Sequence, residues 1–339
     1  MHMADALLSP AVGGAMCAVS AGAVAYAAAK IGKDEFDDKK IPLMGIMGAF
    51  VFAAQMINFT IPGTGSSGHL GGGILLAATL GKFPAFLTLT AVLIIQALFF
   101  ADGGLLALGC NVFNLACLTC LIAYPLIFKP IIQKGMTPKR IAAASVLSAV
   151  AGLVSGALAV VAETTLSGIT ELPFKTFAGL MIPIHLAIGL VEGLVTAAVL
   201  LFVYGMRPEI LSCAAERKAL GGVSVKKVAI AMLVATALVA GGLSLLASAY
   251  PDGLEWSIEK TAGEAELAAQ SEVHEAAAKV QEGTAILPDY DYREEGAAAI
   301  PGTSAAGLVG AAITLAVAGG CGFLIHLAKK RRQKAAAQG

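Results

Sequence analysis

Residues 61–80 read IPGTGSSGHLGGGILLAATL, and two features of this stretch decide how the chain is arranged. Seven of its first thirteen residues are glycine or proline, so a regular helix is not expected there. The apolar segment Leu70–Leu80 would rise only about 16 Å as a helix, roughly half the hydrocarbon core of a bilayer. Irregular backbone at membrane depth is tolerated where it lines a substrate cavity. We therefore expect this stretch to re-enter a membrane and to mark a binding site.

The rest of the chain has the composition of a membrane protein. Of its 339 residues, 57% are hydrophobic and 14% are charged, with a mean hydropathy of +0.80, whereas soluble domains are about 25% charged. Together with the short segment, the sequence predicts an all-α polytopic membrane helical bundle of seven segments plus two additional transmembrane helices. The apolar runs long enough to cross a bilayer lie near 10–31, 42–60, 84–101, 105–128, 141–163, 179–205, 228–249 and 303–328.

The basic residues indicate the orientation. If the short segment counts as a span, 19 of the 23 lysine and arginine residues fall on one side, which the positive-inside rule makes cytoplasmic. We therefore expect a multi-pass protein of the plasma (inner) membrane, surrounded by lipid, with its N-terminus outside and its C-terminus in the cytoplasm. The first apolar run begins near residue 10 with no basic segment or cleavage pattern before it, so we expect the N-terminus to be retained.

A charged linker divides the chain. The predicted parts are a seven-segment domain, 1–205, a cytoplasmic linker, 206–227, a two-span domain, 228–328, and a basic cytoplasmic tail, 329–339. Between the two spans lies an external loop, 250–302, with 12 acidic and 3 basic residues. Its negative charge would concentrate cations. Equally, the loop could be a solvated, partly helical spacer, and both interpretations stay open.

Cysteine usage and net charge indicate no other chemistry. Five cysteines lie within apolar runs and Cys213 lies in the basic linker, so no disulfide framework is implied. Cys117 and Cys120 have the spacing of a redox or zinc motif, but within a hydrophobic helix we interpret them as packing residues. The formal net charge of zero gives no indication of nucleic acid as a partner.

The first two residues, Met1-His2, are a candidate metal chelate. A free amine, the amide nitrogen of residue 2 and the Nδ1 of a histidine at residue 2 close a five-membered and a six-membered ring on one metal. Such a planar set of nitrogens selects Ni²⁺, Cu²⁺ and closely related ions. His69, in the glycine-rich stretch, is the expected fourth nitrogen. The alternative is that His2 is incidental and that His69 caps a helix.

Further polar residues are candidates to support these ligands. His185 and Glu192 lie seven residues apart on one face of an apolar run. Ionisable groups within a membrane are energetically costly, so we expect them to have a function. An interior hydrogen-bonded pair would explain them as well. The other candidates are Asn58, Ser66, Ser67, Gln96, Asp102, Asn111 and Asn114. For the asparagines, Gln96 and Asp102, helix capping or buried polar packing is the alternative.

Several motifs resemble those of the CbiM/NikM substrate-specific components of energy-coupling factor transporters for cobalt and nickel. They are Met1-His-Met-Ala-Asp-Ala-Leu-Leu-Ser-Pro10, Asn58-Phe-Thr-Ile-Pro-Gly-x-x-x-Ser-Gly-His69, Asp102-Gly-Gly with Asn111-x-x-Asn114, and His185-x-x-x-Gly-x-x-Glu192-Gly. In the second part of the chain, Pro251-Asp-Gly-Leu-Glu-Trp256 resembles the PDGLE signature of the small CbiN/NikN component. The resemblance covers nearly the whole chain.

This resemblance implies a metal-capturing subunit fused to its auxiliary subunit, and not an enzyme. In that family the metal is held by the amine and amide nitrogens of the first two residues, the imidazole of His2 and that of the loop histidine, here His69. A transmembrane coupling protein and two ATPase subunits are the implied partners. The chain itself has no Gly-x-x-x-x-Gly-Lys-[Ser/Thr] phosphate loop, which agrees with ATP hydrolysis elsewhere.

The implied cargo is a transition-metal ion, and no resident cofactor is expected. The planar nitrogen set and the fused arrangement favour Ni²⁺, with Co²⁺ for cobalamin supply as the alternative. A remote alternative from another class is an intramembrane metalloenzyme that uses His69, His185 and Glu192. That alternative lacks a His-Glu-x-x-His pair or another close ligand spacing.

Overall fold

The computed structural model describes residues 1–31, 39–265, 267, 271–293 and 300–336. Parts of the predicted acidic loop 250–302 and of the tail 329–339 therefore lie outside the described residues. The helices, in chain order, are α1 (Pro10–Ile31), α2 (Lys40–Gln55), α3 (Gly73–Leu80), α4 (Lys82–Phe99), α5 (Leu108–Gln133), α6 (Pro138–Ser167), α7 (Phe174–Met206), α8 (Pro208–Glu216), α9 (Lys226–Gly241), α10 (Gly253–Ala262), α11 (Glu272–Thr284) and α12 (Gly302–Ala336). The predicted helical fold class is confirmed.

Six of these helices are long and apolar enough to cross a membrane, namely α1, α4, α5, α6, α7 and α12. Helices α2 and α9 have 16 residues each, and α3 has only 8. Every residue of α3 is buried. A helix too short to span the bilayer is thus enclosed by its neighbours, where its end groups do not face lipid.

The segment between α2 and α3 differs in detail from the sequence prediction. The apolar run 42–60 does not remain helical to its end, because α2 ends at Gln55 and two short antiparallel strands follow, β1 (Phe59–Ile61) and β2 (Ser66–Gly68). The turn between the strands contains Gly63 and Gly65, whose φ angles of 77° and 74° glycine adopts without steric cost. The glycines therefore produce a hairpin where the sequence predicted only irregular backbone.

Helices α6 and α7 pack closely along their length. An added Cβ at Gly189 would lie 2.8 Å from the Cα of Val150, and one at Gly193 would lie 2.5 Å from the Cα of Val146. This Gly-x-x-x-Gly spacing allows two helix backbones to approach in a membrane. The close packing fixes the face of α7 that carries Glu192, which is buried in the bundle.

The second part of the chain packs against the first. Helices α9 and α12 lie against each other and against α2. Between them, α10 and α11 fold over the end of the bundle where the chain begins. His274 Nε2 lies 2.9 Å from the carbonyl oxygen of Leu8, and Gln281 Nε2 donates to the carbonyl of Gly103 at 2.7 Å. The described part of the acidic loop is partly helical and contacts the bundle through His274 and Gln281, although His274 is the only buried residue of α11.

Substitution Gly193→Val tests the close approach of α6 and α7. The added side chain would collide with the backbone of Val146, and overpacking of this kind costs about 1–3 kcal/mol. We expect a lower midpoint of thermal unfolding in detergent. The matched control is Gly179→Val on the same helix, where no described atom lies within 4 Å of an added Cβ. Equal midpoints for the two variants would contradict the packing.

Candidate metal centre

The amino group of Met1 lies beside the re-entrant segment, the stretch 61–80 that is expected to re-enter the membrane. Its nitrogen is 2.8 Å from His69 Nε2, although 68 residues separate the two in sequence. Two nitrogen ligands at right angles around one cation, each about 2.0 Å from it, are also about 2.8 Å apart. Met1 is only 5% exposed. The structure therefore places these two predicted donors at the separation that adjacent ligands of one metal ion require.

His2 lies against His69, with parallel rings. The ring centroids are 5.1 Å apart and the planes differ by 2°. His2 Nδ1 lies 3.0 Å from Asp102 Oδ1. This nitrogen is the one that could join a chelate with the amine and amide nitrogens, so the imidazole must leave Asp102 to do so. The three predicted donor residues are thus adjacent, with His2 held by a neighbouring carboxylate.

Asp252 brings a second carboxylate to the site from the other part of the chain. Its Oδ2 accepts a hydrogen bond from the Met1 amine and lies 3.8 Å from His69 Nε2. Its Oδ1 accepts from the backbone N–H groups of Leu254 and Glu255, at 2.7 and 3.0 Å, and so caps α10. Asp252 was not predicted to be a site residue. The signal that could have identified it is its place in the Pro-Asp-Gly-Leu-Glu motif.

Electrostatics keep the carboxylates charged and the loop histidine neutral. Burial alone would raise the pKa of Asp252, but the Met1 ammonium and the backbone N–H of Glu255 hold it below its usual range. Burial would also raise the pKa of Asp102, but the interaction with His2 lowers it below its usual range. Burial, reinforced by the Met1 ammonium, lowers the pKa of His69 to about 3. His69 is therefore neutral at physiological pH, with a lone pair available for a cation.

Asp102 is itself held by Tyr290, another residue of the second part of the chain. The Tyr290 hydroxyl donates to Asp102 Oδ2. The tyrosine ring stacks on Phe100 with a centroid distance of 5.1 Å. Burial, followed by the Asp102 charge, raises the pKa of Tyr290, so the hydroxyl keeps the proton that it donates. The acidic loop therefore contacts the site at two separate points, Asp252 and Tyr290.

Glu192 anchors the segment that carries His69. Its two carboxylate oxygens accept from the backbone N–H groups of Gly71 and Gly72, at 2.8 and 3.0 Å. Gly72 is the N-cap residue of α3, where a negative charge complements the helix dipole. Gln55 Nε2 completes the anchor by donating to the carbonyl of Gly71 at 2.9 Å. The structure thus places Glu192 where it fixes the loop and, through it, the position of His69.

Two predicted asparagines hold Met3, the residue after the candidate ligands. Asn111 Oδ1 accepts from the Met3 N–H at 2.7 Å, and Asn111 Nδ2 donates to the Met3 carbonyl at 3.2 Å. Asn114 Nδ2 lies 3.7 Å from Met3 Sδ and donates to Glu163 at 2.7 Å. Glu163 was not selected from the sequence, although a lone acidic residue in the apolar run 141–163 was a usable signal. These groups position the N-terminal arm, residues 1–9, without contacting the candidate donors.

The hairpin residues dock on the second part of the chain. Ser67 Oγ donates to the carbonyl of Tyr250 at 2.8 Å, and Ser66 Oγ lies 3.5 Å from the carbonyl oxygen of Pro251. The carbonyl of Asn58 accepts from the Ser248 N–H at 2.7 Å. The structure therefore gives the three predicted residues Asn58, Ser66 and Ser67 contacts to residues 248–251 and not to the candidate donors.

His185 and Glu192 do not form the hydrogen-bonded pair considered as an alternative. His185 Nδ1 lies 2.8 Å from the carbonyl oxygen of Met181, one turn earlier in α7. Glu192 uses both of its oxygens on Gly71 and Gly72. The two side chains share a helix face, as predicted, but each forms hydrogen bonds with different partners.

The centre differs from a metal site made only of side chains. Within the described part of the chain, no group of three or more histidine, cysteine, aspartate or glutamate side chains is arranged to hold a metal ion. Two of the four candidate donors are instead backbone nitrogens, the amine of Met1 and the amide of His2. The arrangement depends on a free N-terminus being buried next to His69.

The fold and the site define a multi-pass membrane protein in which the candidate nitrogen donors of Met1, His2 and His69 lie together. Residues 2–210 match the family model described as the cobalt uptake substrate-specific transmembrane region, and residues 226–327 match the PDGLE domain. The chain belongs to the CbiM family, whose members are metal transporters and not enzymes and work within transporter complexes. The resemblance to CbiM/NikM fused to a NikN-type component is confirmed.

Individual relatives agree with this assignment. The chain is 31% identical over 317 residues to a putative fused nickel transport protein NikMN of Archaeoglobus fulgidus, covering 94% of this chain and 96% of that protein. It is 35% identical over 213 residues to a putative metal transport protein of Haloquadratum walsbyi, covering 62% of this chain and 93% of that protein. The crystal structure of a truncated transition metal transporter superposes with a TM-score of 0.54 at 32% identity, covering 61% of this chain and 99% of that one.

Substitution Asp252→Asn tests the contact between the second part of the chain and the Met1 amine. Asparagine caps a helix as well as aspartate does, so the variant should keep α10 while removing the charge beside the ammonium. Breaking one side of a buried ion pair costs about 3–5 kcal/mol. With a chelator present, we expect a clearly lower midpoint of thermal unfolding.

The matched control for this variant is Glu255→Gln. It removes an exposed charge from the same capping box, in which glutamine can replace glutamate. Its midpoint should stay close to that of the unsubstituted protein. A similar loss in both variants would mean that the capping box, and not the ion pair, accounts for the effect.

Proposed function

We propose that this chain is the substrate-capture subunit of an energy-coupling factor importer for transition-metal ions, with Ni²⁺ as its main cargo. The observation that carries the proposal is the 2.8 Å separation between the Met1 nitrogen and His69 Nε2 at a buried site. Membership of a metal transporter family supports it. The cation is the substrate of this site and not a resident cofactor.

The proposed ligand set is the Met1 amine, the His2 amide nitrogen, His2 Nδ1 and His69 Nε2. Capture requires the amine to leave Asp252 and the imidazole of His2 to leave Asp102. Both carboxylates stay beside the site as anions, which favours a divalent cation there. Protons are released as the amine and the amide become ligands. The chain's own groups thus provide both the donors and the compensating charge.

Nickel is proposed ahead of cobalt because of the donor set. Four nitrogens that include an ionised amide form a planar site, which suits Ni²⁺ and Cu²⁺. The fused relative from Archaeoglobus fulgidus carries nickel in its name, whereas the matching family model carries cobalt. Co²⁺ import for cobalamin supply is therefore the alternative function. The metalloenzyme alternative is wrong, because the family and the relatives are transporters.

The proposed assembly includes a transmembrane coupling protein and two ATPase subunits. The absence of a phosphate loop from the sequence supports separate ATPases. The excess of basic residues on one side supports a plasma-membrane orientation with the N-terminus outside and the C-terminus in the cytoplasm. In this proposal the domain 1–205 captures the metal, 206–227 is a cytoplasmic linker, and 228–328 is the auxiliary domain. The basic tail 329–339 then lies in the cytoplasm.

Two changes test the chelate directly, namely one extra residue before Met1 and His69→Ala. Each removes or displaces a donor. Loss of a residue that only supports a metal ligand lowers metal affinity by about 10–100-fold, so these two changes should lower the Ni²⁺ affinity by more than that. Calorimetry on purified protein measures this, after mass spectrometry has verified a free Met1 amine. His326→Ala on α12 is the control and should bind one Ni²⁺ per chain. Normal affinity in the extended protein would exclude the amine as a ligand.

Uptake of labelled metal tests the proposed assembly. Cells that express this chain with the coupling protein and both ATPases should accumulate Ni²⁺, and inactivating the ATPases should abolish that uptake. Excess unlabelled Ni²⁺ should compete better than Co²⁺, because the planar nitrogen set favours nickel. Stronger competition by Co²⁺ would establish the alternative cargo. Uptake that continues without the ATPases would contradict a coupled importer.

A further inference from the structure

One hydrogen bond joins the second part of the chain to the residue that holds His2. The Tyr290 hydroxyl donates to Asp102 Oδ2, although 188 residues separate the two in sequence. Asp102 Oδ1 lies 3.0 Å from His2 Nδ1. The Asp102 carboxylate is therefore held from two sides, by the N-terminal arm at one oxygen and by the second part of the chain at the other.

Left-handed backbone is concentrated on both sides of this hydrogen bond. In the described part of the chain, four residues other than glycine have a positive φ, namely Ala101, Arg217, Asp289 and Tyr290. Three of these four are Tyr290 itself, its neighbour Asp289, and Ala101, which directly precedes Asp102. Such backbone is unfavourable for residues with a side chain, and it persists only where the surrounding structure holds it. The fold therefore holds both partners of this hydrogen bond in an unfavourable backbone conformation.

The Tyr290 ring has a fixed position against the bundle. The N–H of Asp289 donates to the carbonyl of Phe100 at 2.8 Å. The Tyr290 ring stacks on Phe100 with a centroid distance of 5.1 Å, and it meets Phe52 edge-on with a centroid distance of 6.3 Å. Contacts with α2 and with the end of α4 thus place the Tyr290 hydroxyl at Asp102.

The orientation of the His2 imidazole depends on Asp102. His2 Nδ1 belongs to the proposed chelate, but in this structure it faces the carboxylate. His2 Nε2 is buried and has no hydrogen-bond partner among the described residues. Within the described part of the chain, Asp102 is thus the polar group that pairs with this ring. A residue that fixes Asp102 therefore also fixes the direction from which His2 Nδ1 starts.

We infer that Tyr290 is a positioning residue for metal capture, which orients the His2 imidazole through Asp102 without contacting the metal. The hydroxyl fixes the carboxylate and takes up part of its negative charge. Without the hydroxyl, the carboxylate would turn more freely and its charge would act on His2 alone. Both changes oppose capture, because the ring would be less ordered and the contact that must break would be stronger. This inference rests on the proposed function, in which His2 Nδ1 is a ligand.

The test compares two tyrosine-to-phenylalanine variants of the full-length protein. Tyr290→Phe removes the hydroxyl and keeps the ring that stacks on Phe100. Its Ni²⁺ affinity, measured by calorimetry, should fall by about 10-fold, the lower end of the range for residues that support a metal ligand. Tyr292→Phe is the matched control, because the Tyr292 hydroxyl donates to the carbonyl of Ile300 at 3.3 Å and the residue is 40% exposed. Its affinity should equal that of the unsubstituted protein.

Nuclear magnetic resonance of protein labelled with ¹⁵N-histidine tests whether the effect passes through His2. In the metal-free protein, the Nδ1 signal of His2 reports its contact with Asp102, and its absence from a His2→Ala variant identifies it. We expect this signal to shift in Tyr290→Phe and to stay unchanged in Tyr292→Phe. A purely structural role of Tyr290 elsewhere in the fold would not move the signal.

The outcomes separate this inference from the proposed function. If the unsubstituted protein binds no Ni²⁺, the proposed function fails and the inference fails with it. If that protein binds Ni²⁺ but Tyr290→Phe keeps its affinity, or loses affinity without a change in the His2 signal, only the inference is overturned. An equal loss of affinity in Tyr292→Phe would also overturn the inference alone.

A measurement on the unsubstituted protein decides the question even if Tyr290→Phe does not fold. The ¹³Cζ signal of Tyr290 reports the hydrogen bond of its hydroxyl. This signal should shift when Ni²⁺ binds, because His2 then leaves Asp102 and the carboxylate keeps only the tyrosine as a partner of the pair. The ¹³Cζ signal of Tyr292 is the internal control and should not move. An unchanged Tyr290 signal on Ni²⁺ binding would overturn the inference and leave the proposed function standing.

Discussion

A buried ammonium group requires a counter-charge, and the arrangement of this protein depends on where that charge comes from. The Met1 amine is enclosed beside His69 and is paired with Asp252, 251 residues later in the chain. For this pair to form, the N-terminal arm must enter the bundle and α10 must lie over it. Asp252 also caps α10. One carboxylate therefore links the geometry of the candidate centre to the placement of the second part of the chain.

Residues near this pair fix the backbone next to the candidate donors. Glu192 holds the backbone of Gly71 and Gly72, which fixes the position of the backbone that carries His69. Asn111 holds the backbone of Met3, which fixes the position of the chain directly after the first two residues. Rigid support of this kind reduces the ordering that a ligand must impose when it binds. The candidate donor residues Met1, His2 and His69 thus lie together in the folded chain.

The sequence predicted the features that have a local cause. Long apolar runs predict helices, and seven glycine or proline residues in thirteen predict a break between α2 and α3. The hairpin of β1 and β2 was not predicted, because strands of three residues are too short to show periodicity. Asp252 and Tyr290 were not selected either, since each acts across more than 180 residues of sequence. Only tertiary packing shows which distant carboxylate or hydroxyl meets the N-terminus.

The buried start of the chain has a consequence for biogenesis. Met3, Leu7 and Leu8 are at most 2% exposed, and His274 contacts the backbone of the same arm. Ribosomes add about 5–20 residues per second, so roughly 10–50 s pass between synthesis of Met1 and synthesis of Asp252. During that interval the Met1 amine lacks the carboxylate with which it is paired in the folded chain. Asn111 can hold the backbone of Met3 earlier, but the ion pair of Met1 forms only after the second part of the chain has been synthesised.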